Sequence, residues 1–139
     1  MAQSVEPLEL IRLDDRLQSV VVRLLSTQQD YYDAEIDIRS DFVNATVRTG
    51  FDVEGIDEWS ALLDALEDAE EENDSVFTAD WPSEGRSAYL RFVADDPYVV
   101  EIHDAPSTQI CVHVPLDLKP DWIAEARNRL AVVRRALGV

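Results

Sequence analysis

Through the first part of the chain, apolar side chains recur at every second position. Tyr32, Ala34, Ile36 and Ile38 alternate with Asp33, Glu35, Asp37 and Arg39; Val43, Ala45, Val47 and Thr49 repeat the alternation against Asn44, Thr46 and Arg48. A period of two marks a strand with one buried and one wet face. Before them, Leu8, Leu10, Ile11 and Leu13 run into the turn-like Asp14-Asp15-Arg16, and residues 19–25 are rich in β-branched side chains. Four antiparallel strands are predicted. Residues 50–55 then break the pattern, and the period lengthens to about 3.6. Ile56, Trp59, Leu62, Leu63, Leu66 and Ala69 form a helical apolar stripe, with Asp57, Asp64, Asp68 and Glu71 on the opposite side. The charge cluster at 70–74 is expected to end this helix.

The second half repeats the order. Residues 75–81 form a short apolar alternation that Pro82 ends. Ala88, Leu90 and Phe92 alternate with Tyr89 and Arg91; Tyr98, Val100 and Ile102 with Val99, Glu101 and His103; and Ile110, Val112 and Val114 with Cys111 and His113. The Asp104-Ala105-Pro106-Ser107 turn predicts a hairpin between the last two strands. Pro120 suits a first helical position, Asp121 and Glu125 suit the positive end of a helix dipole, and Arg134, Arg135 and Gly138 suit its close. Trp122, Ala126, Leu130, Val133 and Leu137 give this final helix its apolar stripe. The prediction is an α+β fold of order ββββαββββα, an antiparallel sheet of about seven to eight strands with two helices packed on one face, forming a single domain over residues 1–139.

Composition bounds the function. The 46% hydrophobic content of the 139 residues supports a folded domain despite a formal charge of −17. One cysteine, Cys111, excludes an intramolecular disulfide and a multi-cysteine zinc site. The first ten residues have no Lys or Arg and no sustained apolar run, so no signal peptide is read. No segment approaches the roughly 20 apolar residues of a membrane span, and a cytoplasmic location is expected. Direct nucleic-acid binding is not, because phosphates call for a basic patch.

The charge is unevenly spread. Residues 49–85 contain no Lys or Arg and hold 13 of the 29 carboxylates, a formal −13. Residues 119–139 hold five basic and two acidic side chains, a net +3. The plain account is that the two helices lie side by side and partly neutralise each other. The functional account is an acidic face that steers and holds a basic protein. Its candidate partner-binding residues are Asp57, Asp64, Asp68, Glu70, Glu71 and Glu72.

Glu101, His103, Cys111 and His113 point to one side of the predicted hairpin. With the turn centred near Pro106, His103 faces Gln109, Glu101 faces Cys111 and Val99 faces His113. That register sets the imidazoles too far apart for one ion, so neither a metal nor a cofactor is expected. Cys111 and His113 share a face, but acidic surroundings raise a thiol and argue against a nucleophile. With four glycines there is no phosphate-cradling loop. Trp59 and Trp122 lie on core stripes. Trp81, before Pro82, is the one candidate for an exposed aromatic anchor, with core packing the better expectation.

The early strand block, Ile56-Asp57-Glu58-Trp59-Ser60-Ala61-Leu62-Leu63, a second strand block and Val114-Pro115-Leu116-Asp117 before a final helix resemble a group of small uncharacterised actinobacterial proteins. More loosely, the outline is similar to Wap-type immunity proteins. That resemblance implies a non-enzymatic binding role, with an acidic immunity protein neutralising a basic toxin domain. The alternative is a small ligand-binding or enzymatic α+β domain with a pocket between sheet and helices.

Overall fold

Each predicted strand pairs with its neighbour in sequence. The computed structural model describes residues 8–28, 31–72, 77–83, 88–95, 98–105 and 107–139. Four strands, β1 (Leu8–Asp14), β2 (Ser19–Gln28), β3 (Tyr31–Arg39) and β4 (Asn44–Asp52), lead into helix α1 (Val53–Glu72). Four more, β5 (Phe77–Trp81), β6 (Tyr89–Ala94), β7 (Tyr98–His103) and β8 (Cys111–Leu116), lead into α2 (Trp122–Leu137). The α+β class and the order ββββαββββα are those expected. The eight strands divide into two antiparallel four-stranded sheets, β1-β2-β3-β4 and β5-β6-β7-β8. Residues 75 and 76, read as part of the fifth strand, lie outside the described residues.

Alternation explains the faces. Pairing Tyr32 with Phe51, Ala34 with Thr49 and Ile36 with Val47 puts one side of β3 and β4 on the core. Asp33, Glu35 and Asp37 then fall on the far side. A single hydrophobic cluster takes residues from every strand and both helices. At its centre an aromatic column links the sheets under α1. Tyr32 meets Phe51 at 5.8 Å between ring centroids, Phe51 meets Trp81 at 5.0 Å, Trp81 meets Trp59 at 6.1 Å, and Trp59 meets Phe92 at 5.4 Å. The first three contacts are edge-to-face and the last is tilted, and edge-to-face rings at such distances add to the stabilisation from burial alone. Thr49 Oγ1 donates to the Ala88 carbonyl at 2.8 Å, a buried bond between the two halves. Trp81 is 1% exposed, so it belongs to the core and is no surface anchor.

Three local expectations are corrected. Residues 50–55 are no break, because β4 runs to Asp52 and α1 starts at once at Val53. Gly55 sits inside the helix, where a Cβ would come within 2.8 Å of the Phe51 Cβ. Its carbonyl accepts the Trp81 indole N–H at 2.8 Å. The glycine thus permits close packing of helix on strand. Pro120 lies outside α2, whose first helical residue, Trp122, follows Asp121 at the cap. The other end is as read: Gly138 is left-handed at φ 73, and the Val139 N–H reaches the Arg134 carbonyl at 3.0 Å.

The third correction is the β7–β8 register. His103 pairs with Cys111, Glu101 with His113 and Val99 with Pro115. The loop is longer than the turn expected, and its centre sits one residue further on. Asp104 N donates to the Ile110 carbonyl at 3.0 Å and Gln109 N to the Asp104 carbonyl at 2.8 Å, with Gln109 left-handed at φ 63. The Thr108 hydroxyl donates to the Asp104 carboxylate at 2.8 Å and closes the loop. A one-residue move of the turn centre moves every cross-strand partner by two.

Candidate functional site

The acidic stripe of α1 meets α2. Along a helix, residues 57, 64, 68 and 71 follow one line of turns. The first two lie against the basic helix: Arg134 donates to Asp57 at 2.9 Å, and Arg127 to Asp64 at 2.7 Å. Arg127 also donates to Glu67 at 2.9 Å. Glu67 was not among the predicted residues. It lies one turn beyond Asp64, and that spacing lets one guanidinium bridge both. These carboxylates raise Arg127 above its ordinary value, Glu67 foremost and then Asp64. The pairs are solvent-facing, so each is worth roughly 0.2–1 kcal/mol.

Glu70 is engaged differently. Its Oε1 accepts the Tyr98 hydroxyl at 2.5 Å and the Trp122 indole N–H at 3.2 Å, tying α1 to β7 and α2. Burial, and then the Glu70 carboxylate, push the Tyr98 hydroxyl up. Asp68 and Glu71 are exposed and have no side-chain partner among the described residues. Glu72 is the last residue of α1, and its side chain lies outside the described set, as do residues 73 and 74 of the predicted cluster. The five predicted residues with described side chains therefore separate into a neutralised seam (Asp57, Asp64), a structural tie (Glu70) and an open end (Asp68, Glu71).

A second assembly lies on the face of the β5–β8 sheet turned away from the core. Glu101 and His103 are two apart on β7, and Cys111 and His113 are two apart on β8. His103 Nε2 is 2.8 Å from Glu101 Oε1, the Cys111 sulfur is 3.6 Å from the same nitrogen, and His113 Nδ1 is 3.7 Å from Glu101 Oε2. Ligating atoms of Glu101, His103 and Cys111 lie within 4.8 Å of one another. The register expected from sequence sets the two imidazoles several residues apart, whereas the observed one places His103 opposite Cys111 and His113 opposite Glu101. Burial and then Glu101 push the Cys111 thiol up, against a smaller pull from Arg91. This is the direction expected for an inert thiol.

A third feature is an open groove of about 1110 Å³ between β1 and α2. The three cations among its described lining residues, Arg12, Arg23 and Arg129, converge on the single carboxylate of Glu9.

A protein-family profile matches residues 8–138. The chain belongs to DUF5959, a family of unknown function. The match covers every strand and helix of the fold. No curated protein and no solved structure matches this DUF5959 chain. Among its described residues, no helix is long and apolar enough to cross a membrane.

Proposed function

We propose that this DUF5959 chain is a non-enzymatic interaction domain that grips a basic protein through the C-terminal end of α1. The observation that carries the reading is a broken local rule. A helix C-terminus bears partial negative charge and favours cations. The last turn of α1 has no basic residue and carries Glu70, Glu71 and Glu72 instead. Asp68 and Glu71 stand open there, while the two α2 arginines that reach α1, Arg127 and Arg134, pair with the upstream carboxylates Asp57, Asp64 and Glu67. Uncompensated departures from local preference are most common where a sequence serves a partner. A cationic surface docked at this end would relieve both the dipole and the like-charge repulsion.

In its finer form the reading makes the chain a cytoplasmic immunity protein, with a toxin domain as the basic partner. The acidic surface and the resemblance in outline support it. The rival reading, a ligand pocket between sheet and helices, finds the space under α1 filled by Trp59, Trp81 and Phe92, each no more than 1% exposed.

The test is capture from an extract of the source cell. The wild-type chain should retain a basic protein at low salt and release it at high salt, and the double variant Asp68→Lys/Glu71→Lys should not retain it. Equal capture by both proteins removes the acidic end from the interface. If the retained protein is toxic when expressed alone, rescue by the wild-type chain and not by the variant supports the immunity role.

A further inference from the structure

The geometry points to a transition-metal site on the outer face of the β7–β8 hairpin, with Glu101, His103, Cys111 and His113 as its ligands. The four come from two residue-x-residue pairs on adjacent antiparallel strands. Ile102 and Val112, the residues between, pair with each other on the opposite face. The sheet thus presents a two-by-two array of ligand side chains, and once the loop has set the register the spacing is fixed by strand geometry.

The donor spacings of Glu101, His103 and Cys111 fit a small ion, and His113, outside that 4.8 Å set, completes the tetrahedron by turning its exposed ring inward. Zinc bonds of about 2.0–2.3 Å place neighbouring donors roughly 3.3–3.8 Å apart. Cys111 Sγ to His103 Nε2, at 3.6 Å, and His113 Nδ1 to Glu101 Oε2, at 3.7 Å, already have that separation. The 2.8 Å contact between His103 and Glu101 is a hydrogen bond that metal coordination would replace. One thiolate, two imidazoles and one carboxylate form a borderline-soft set that suits zinc or cobalt and is poorly matched to magnesium or calcium.

The surroundings hold the ligands in place. The Tyr89 ring stacks on the His103 imidazole at 4.8 Å and 2° between planes, fixing its orientation. Arg91, across the ladder from Glu101, is drawn the other way by Asp80, which it binds at 2.7 Å and 3.1 Å. His103 and Glu101 are partly buried, whereas the His113 side chain is 62% exposed. Cys111 is exposed as well, so two inner ligands and two at the solvent edge describe a site open on one side.

The site is tested on the full, reduced chain with cobalt(II) alone as the probe. One equivalent should give a thiolate-to-cobalt charge-transfer band together with intense tetrahedral visible bands, and excess magnesium should leave them unchanged. Cys111→Ser should abolish the charge-transfer band. His103→Ala should weaken zinc binding, measured against a competing chelator, by more than the roughly 100-fold that loss of an outer-shell partner costs. His113→Ala should weaken it less and shift the visible bands. Circular dichroism on the metal-free variants checks that they are folded, as surface substitutions here should be. Absence of the charge-transfer band in folded wild type overturns the site, as does displacement by magnesium or undiminished binding by the cysteine and histidine variants. Asp68→Lys/Glu71→Lys should bind cobalt normally, which keeps this outcome separate from that of partner binding.

Discussion

The outer faces of the two sheets are built alike and filled differently. On the β1–β4 sheet the charges of Glu9, Arg23, Glu35 and Asp37 are answered by their opposites. Glu9 receives Arg12 at 2.7 Å, Arg129 at 3.3 Å and Arg23 at 3.7 Å. Asp37, only 3% exposed, receives Arg39 and Thr46 at 3.0 Å each and Arg23 at 3.3 Å. Burial alone would raise the Asp37 carboxyl, but the bonds from Arg39 and Thr46, with help from Arg23, outweigh it and hold it low. On the β5–β8 sheet the Asp80–Arg91 pair is similarly closed. Beside it, Glu101 meets two imidazoles and a thiol, groups that need not carry charge. One face is a closed lattice of fixed ions. The other leaves donor atoms available to a ligand.

Breaking the lattice should have the largest effect. Asp37→Ala leaves Arg23 and Thr46 facing an empty site and should lower stability by about 2–3 kcal/mol, read from the denaturant midpoint. Glu101→Ala in metal-free protein should change it by no more than about 0.5 kcal/mol. Similar losses from both would erase the contrast between the faces.

Acid provides a finer probe. Glu9 is held below its ordinary 4.5 chiefly by the Arg12 hydrogen bond, and Asp37 lies below its ordinary 3.8. A carboxyl depressed in the folded state stabilises the fold at pH above its unfolded value and loses that contribution as pH falls through the folded one. Stability should therefore fall below about pH 4. Asp37→Asn should start lower at neutral pH and lose less over the same interval. Parallel pH profiles for variant and wild type would show that Asp37 does not carry the acid sensitivity.

The smallest effect belongs to the open end of α1. Asp68→Lys/Glu71→Lys removes like charge from the negative pole of the helix and should stabilise the domain by about 0.3–1 kcal/mol in low salt, fading as salt is added. A clear loss of stability would mean that these carboxylates support the fold.

The strands were legible because their information is local. Tyr32, Ala34, Ile36 and Ile38 declare a buried face whatever lies opposite. The division into two sheets, the packing of α2 along β1 and the true start of α1 depend on contacts between distant segments. Gly55 reads as a breaker until Phe51 and Trp81 are placed around it. The Glu101 group is legible in its residue types but not in its geometry, because register hangs on loop geometry. A left-handed Gln109 and the Asp104–Thr108 bond decide the partners of four residues outside the loop. Asp57 and Asp64 could be assigned to an acidic stripe, but their pairing with Arg134 and Arg127 needed the position of α2.

The docking of α2 on β1 has a consequence for the order of events in folding. Glu9 and Arg129, 3.3 Å apart in space, are 120 residues apart along the chain. The strand synthesised early is thus covered by the helix synthesised near the end. Until α2 is made, the β1 flank that it covers stays exposed to water. Local hairpins can form early, but sealing that edge waits for a long-range closure, the kind of contact that slows folding and lengthens exposure to aggregation.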